Sequence, residues 1–297
     1  MRIVSGMRPT GKLHLGHYLG VLKNWVEFQE SNDCRFFVAD WHALSTSYED
    51  KLNLKNLGYE LVKEWIAAGI DPQRSTLFVQ SAVKEHAELY VLLNMITPLG
   101  WLERNPTYKD QLEQMRNKEI HTAGFLTYPV LQTADIILYN ADAVPIGEDQ
   151  KPHLEIAREI VRRFHHLFGC EIFTEPKEIL TQTSRLPGLD GRKMSKSYNN
   201  TIPLWLPEKK LRKAIMKIKT NSLEPGEPKD TSDSALFALY QAFATPAQTE
   251  AMRQAFADGI GWGDAKQQTF ELINAQLAEP RARYHQWMEN PARLAEV

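Results

Sequence analysis

Cysteine is scarce in this chain of 297 residues: there are two, Cys34 and Cys170, and no Cys-x-x-Cys pair. That argues against a disulfide framework and against a thiolate-held zinc or iron–sulfur centre, and it fits a reducing compartment. Long apolar runs are lacking too. Nothing approaches the ~20 residues needed to span a bilayer, and the opening MRIVSGMRPTGKLHLG has no apolar stretch of signal-peptide length. A cytoplasmic protein with no membrane partner is expected. Neither sign of charge dominates. The net charge of −2 gives no general attraction to nucleic acid, although a local basic surface would be enough for an RNA partner.

What is present is alternation. Residues 2–6, 34–40 and 75–81 read as strands; residues 16–31, 47–69 and those from about Val83 onward read as helices, with Gly69 and Pro72 stopping the second. Strands that alternate with helices imply βαβ units and a parallel, Rossmann-like α/β sheet, with ligands at the carboxyl ends of its strands. After about Pro203 the pattern turns helical, with turn signals from Glu224 to Pro228. Two domains are expected: a Rossmann-like catalytic domain over 1–203 and a helical C-terminal domain over 204–297.

Two short motifs carry chemistry. His14, Leu15, Gly16 and His17 follow the first strand and open the first helix. Histidines three apart share a helix face, and glycine leaves room for another molecule to approach the backbone. A helix start presents unpaired N–H groups that suit phosphate, and two imidazoles there can donate to developing negative charge. Zinc is the competing ligand, but no third donor is evident. The second motif is a glycine-punctuated loop, residues 188–197, with Arg192, Lys193 and Lys196 in its last turn. Its lysines are point charges able to follow a departing pyrophosphate. Alone, each motif also reads as plain surface: a polar helix start, a solvated basic loop.

Together, His14–His17 and the run Lys193, Met194, Ser195, Lys196, Ser197 resemble the HIGH and KMSKS signatures of class I aminoacyl-tRNA synthetases, with Leu15 in place of isoleucine. The stretches 5–11, 38–44, 127–135 and 144–150 are similar to the tryptophanyl branch; the tyrosyl relatives usually carry Gly-Gly-Ser-Asp-Gln where this chain has Gly147, Glu148, Asp149 and Gln150. The likeness is strong to about Asn200 and looser to Val297.

That resemblance implies a tryptophan–tRNA ligase acting on ATP, L-tryptophan and tRNA(Trp), homodimeric, with Mg²⁺ arriving on the nucleotide and neither a protein-held metal nor an iron–sulfur cluster. It makes His14, His17, Lys193 and Lys196 catalytic. Around tryptophan it puts Asp135 as acceptor for the indole N–H, Tyr128 and Gln150 near the amino group, His42 beside the pocket, and Val144 and Ile146 as apolar walls. Gln132 stands where many relatives have methionine. Around ATP it puts Arg8, Pro9, Thr10, Gly16, His17, Gly147, Glu148, Asp149, Leu186, Lys193, Met194, Ser195, Lys196 and Ser197. Arg8 replaces a common glutamine, so it is assigned no more than a place in the ATP site.

The basic stretch 207–219 reads as a solvated helix face rather than an RNA contact, and the aromatics at 284–287 as helix packing. The ending at Val297, where relatives usually continue, suggests a short variant or a truncation. The alternatives are a tyrosyl-type synthetase, an HxGH-type adenylyltransferase, and a non-catalytic RNA-binding paralogue.

Overall fold

All three expected strands form, two of them shorter than the sequence suggests. The computed structural model describes residues 1–114, 120–181 and 186–289, and of Gln114 and Ser197 only the backbone. The expectations for the side chain of Ser197 and for the C-terminal end therefore lie outside the described residues. Strands β1 (Arg2–Met7), β2 (Asp33–Val38) and β3 (Ser75–Val79) are joined by β4 (Ala143–Ile146) and β5 (Lys177–Leu180). They form one parallel sheet in the order β3-β2-β1-β4-β5. β4 was not read from the sequence because Pro145 lacks a ladder N–H. β5 was missed because Lys177 and Glu178 make a short, charged edge strand.

Before β3 run helices α1 (Leu15–His17), α2 (Lys23–Phe28), α3 (Asp40–Ser47) and α4 (Leu54–Ala68), with a π turn at Tyr18–Leu22 between the first two. Then come α5 (Glu85–Ile96), α6 (Leu99–Glu103), α7 (Pro106–Gln114) and α8 (Ala123–Ile137), and α9 (Lys151–Phe168) links β4 to β5. Strand pleating sends neighbouring side chains to opposite faces. Ile3, Phe36 and Val38 accordingly pack with Leu15, Leu22, Trp25 and Trp65. Val4 and Phe37 pack with Val130, Ile137 and Ile160 on the other face. Trp25 stacks on Phe36 at 4.2 Å and meets Trp65 edge-on at 5.1 Å.

The described residues after β5 form α10 (Glu208–Met216), α11 (Ala235–Phe243), α12 (Pro246–Ala257) and α13 (Trp262–Glu289). They share a core with the α1–α4 layer. Trp205 stacks on Tyr284, and Arg283 Nε donates to the Ala67 carbonyl at 3.1 Å. On α10, Leu211 and Ile215 are buried while Lys209, Lys210 and Lys213 stay exposed, the division of a solvated amphipathic helix. Among the described residues no helix is long and apolar enough to cross a membrane.

Candidate active site

The strand order reverses between β1 and β4, which is where an open parallel sheet leaves a crevice beyond its carboxyl ends. A cavity of about 370 Å³ occupies that place. Met7 and Arg8 at the end of β1 line it, as do Val144, Ile146 and Gly147 at the end of β4, with His17 and His42 alongside. Gly6 also lines it; a Cβ there would lie 2.4 Å from the Phe37 ring.

One end of the cavity is built by α8. Tyr128, Gln132 and Asp135 are spaced four and three apart, so a single helix face turns all three inward. Asp135 is 1% exposed. Its Oδ2 accepts from His42 Nε2 at 2.8 Å, its Oδ1 from His86 Nδ1 at 2.7 Å, and both from the Gln80 amide at 2.9 and 3.0 Å. Burial alone raises its pKa, but the hydrogen bonds and charge of His42 and His86 outweigh that and hold it below the ordinary aspartate value. It is therefore a buried anion.

Tyr128 is set by a chain with a fixed direction. The Thr107 amide donates to Asn105 Oδ1 at 3.0 Å, so the Asn105 Nδ2 must be what faces His153 Nδ1 at 2.9 Å. His153 then carries its proton on Nε2, which donates to the Tyr128 hydroxyl at 2.6 Å. Burial pushes the His153 pKa down to about 4, so the ring is neutral at physiological pH. Gln150 lines the cavity, and its side chain donates to Asp149 Oδ2 at 3.0 Å. Asp149 is exposed, and Glu148 pairs with Lys151; neither of the two lines the cavity.

The other end is lined by His17 of the histidine motif, whereas His14 and Gly16 do not line the cavity. His14 caps α1, its Nδ1 accepting from the Gly16 amide at 3.1 Å, while His17 Nδ1 accepts from the His14 amide at 3.2 Å. The rings lie 3.8 Å apart. Burial, and then the charge of Lys196, lowers the His14 pKa to about 4; burial, His14 and Lys196 lower that of His17 to about 3. Both are neutral. A backbone amide can only donate, so each ring keeps its proton on Nε2 and offers one N–H.

The expectation of free amides at this helix start fails. The Leu13 amide donates to Glu64 at 2.9 Å, Leu15 to the Ile202 carbonyl at 3.1 Å, Gly16 to His14, and His17 to the His14 carbonyl at 2.9 Å. α1 has only three residues and its amides are already used. A phosphate at this end would therefore meet side-chain donors rather than amides of this helix start.

The basic loop docks on the turn before that motif, and none of its described residues lines the cavity. Lys196 Nζ donates to the Gly11 carbonyl at 2.8 Å and the Thr10 carbonyl at 3.3 Å, joining the two motifs across 185 residues of sequence. Pro9 is buried in that turn. Lys193 is exposed, whereas Met194 is buried, its amide donating to the Leu186 carbonyl at 2.8 Å. Leu186 and Met194 thus anchor the loop to the core and do not line the cavity. Asn200, 2% exposed, clasps the loop: its Oδ1 accepts from the Ser195 amide at 2.8 Å, and its Nδ2 donates to Asp190 at 2.7 Å and the Lys193 carbonyl at 3.1 Å. Behind the first motif, burial raises the Glu64 pKa to about 7.

Sequence reasoning therefore missed Glu64, Gln80, His86, Asn105, His153 and Asn200. Asn200 had a local signal, since it lies three positions beyond the basic motif. The others act across long sequence separations.

The family model for tRNA synthetases class I (W and Y) matches residues 1–278. A tryptophan–tRNA ligase of Thermotoga maritima is 52% identical over 82% of this chain and 75% of its own length. One from Ralstonia nicotianae is 38% identical over 100% of this chain and 92% of its own. The chain belongs to the class I aminoacyl-tRNA synthetases, in the group that comprises the tryptophan and tyrosine enzymes. A solved tryptophanyl-tRNA synthetase of Campylobacter jejuni, in complex with ADP and tryptophan, superposes with a TM-score of 0.88 at 38% identity, covering 100% of this chain and 92% of that one. Among the described residues no group of three or more His, Cys, Asp or Glu side chains is placed to hold a metal ion.

Proposed function

We propose that this chain is an ATP-dependent tryptophan–tRNA ligase of the cytoplasm, converting L-tryptophan and ATP to tryptophanyl-adenylate and pyrophosphate and then charging tRNA(Trp). One observation carries the reading: a single cavity at the β1/β4 switch point has a buried anionic acceptor, Asp135, at one end and the His17 ring at the other. An indole nitrogen only donates and a carboxylate only accepts, so the two match.

In the first step a tryptophan carboxylate oxygen attacks the α-phosphorus of ATP in line. The bond to the bridging oxygen breaks, and pyrophosphate leaves with the electron pair. A hydroxyl of the tRNA terminal adenosine then attacks the activated carbonyl carbon, and AMP departs. No protein nucleophile is needed, so catalysis consists of orientation and charge stabilisation. His14 and His17 supply neutral N–H donors to the phosphates, while Lys193 and Lys196 supply positive charge that follows the departing pyrophosphate. Mg²⁺ is carried by the phosphates of the nucleotide substrate. Asp135 receives the indole N–H, Tyr128 and Gln150 border the amino group, and Val144 and Ile146 wall the ring. Arg8, Gly147 and Asp149 serve the nucleotide.

Residues 204–297 are assigned to a tRNA-facing C-terminal domain, which is helical over its described part, α10 to α13. A second copy of the chain is assigned to the apolar face of α5, where Leu92 is 63% and Met95 77% exposed. The test is exchange of labelled pyrophosphate into ATP in the presence of each amino acid separately. Stimulation by tryptophan alone supports the reading; stimulation by tyrosine instead would overturn it.

A further inference from the structure

Asp135 is held by more donors than a ligand contact needs. A carboxylate offers about four acceptor positions, and His42, His86 and Gln80 occupy positions on both of its oxygens. Gln80 and His86 are fully buried. Asp135 can only accept, so His86 donates to it from Nδ1, and its Nε2 lies within hydrogen-bond distance of the Tyr139 hydroxyl at 2.8 Å. Gln80 sits in the turn directly after β3, His86 in the first turn of α5, and Tyr139 just past the end of α8. None of the three lines the cavity, whereas Asp135 does.

We infer that Gln80, His86 and Tyr139 are positioning residues for substrate selection: they hold the Asp135 carboxylate from outside the cavity and fix the plane in which it is presented to a ring N–H. This rests on the tryptophan reading and deepens it. Two consequences follow physically. The carboxylate cannot rotate to follow a misplaced ligand, because three partners on three different elements fix its plane. An aromatic amino acid without a ring N–H brings no donor to a buried anion, an unfavourable pairing at a side chain only 1% exposed. Selectivity for the ring nitrogen is then a property of the network as well as of Asp135.

The test compares tryptophan with its analogue carrying sulfur in place of the ring N–H, using pyrophosphate exchange by the full-length protein. For His86→Leu we expect KM for tryptophan to rise about ten- to a hundredfold, with KM for ATP within about twofold of wild type. The preference for tryptophan over the sulfur analogue should narrow by about tenfold, because a loosened carboxylate discriminates less. His86→Asn puts an amide N–H near the place of Nδ1, so it should recover most of the loss. Tyr139→Phe removes one hydroxyl behind His86 and should shift KM the same way by about threefold; it decides the matter if His86→Leu does not fold. Unchanged KM and unchanged preference in Tyr139→Phe, together with no recovery by His86→Asn, would overturn the inference while wild-type exchange with tryptophan left the enzyme reading intact. Absence of tryptophan-dependent exchange in the wild type would remove both.

Discussion

The two ends of the cavity are built in opposite ways. At the Asp135 end the polar groups are buried, partnered and fixed in direction: three donors on one carboxylate, and a one-way chain from the Thr107 amide to the Tyr128 hydroxyl. At the proposed phosphate end, Lys193 is exposed, Lys196 rests on two carbonyls it can leave, and the loop between them is held by Met194 in the core and by the side chain of Asn200. A site that must recognise one rigid ring gains from prearranged acceptors, since each unmatched buried group penalises the wrong ligand. A site that must follow a leaving group gains from charges that can move. The contrast predicts that damage at one end shows in KM for tryptophan, and damage at the other in turnover.

The largest effect is expected for Lys196→Ala. Turnover in pyrophosphate exchange should fall about 10²–10³-fold with KM for tryptophan nearly unchanged, as for loss of a charge that acts mainly in the transition state. An equal rise in KM for tryptophan would break the proposed separation. Next comes Asn200→Ala, which removes the side chain that accepts from the Ser195 amide and donates to the Lys193 carbonyl. Turnover should drop about tenfold, again without a change in KM for tryptophan; steady-state kinetics with each substrate varied in turn would show it.

The smallest effect concerns stability. Burial raises the Glu64 pKa from 4.5 to about 7 in the folded state. A carboxyl whose folded pKa is raised binds its proton more tightly when folded, so its contribution to stability is greatest below pH 4.5 and declines as pH rises to about 7. Glu64→Gln keeps an acceptor for the Leu13 amide without the buried charge. Its melting temperature should exceed that of wild type by about 2–4 °C at pH 8 and by little at pH 4.5. A lower melting temperature at pH 8 would mean that the charge of Glu64 is needed to hold the motif.

The same contrast decides what could be read from the sequence. The phosphate end was legible because its motifs are contiguous, whereas Tyr128, Gln132 and Asp135 were reached only through the resemblance, and their common face on α8 appears only in the structure. β1, β2 and β3 were legible as apolar runs between turn signals; β4 and β5 were not, because a proline and two charges disguise them. Of the partners of Asp135 only His42 was placed at the pocket, through the resemblance; Gln80 and His86 lie 55 and 49 residues away, and only the packing of α5 and α8 against the sheet brings them to it. The free amides expected at the first helix were lost for a similar reason. Glu64 and Ile202, both distant in sequence, supply the acceptors that Leu13 and Leu15 would otherwise lack.

The most direct test of the account is the steady-state kinetics of Asp135→Asn in pyrophosphate exchange. The substitution keeps the shape of the side chain and removes its charge. The account predicts a rise in KM for tryptophan of about a hundredfold or more, with KM for ATP within about twofold of wild type. An unchanged KM for tryptophan would contradict it.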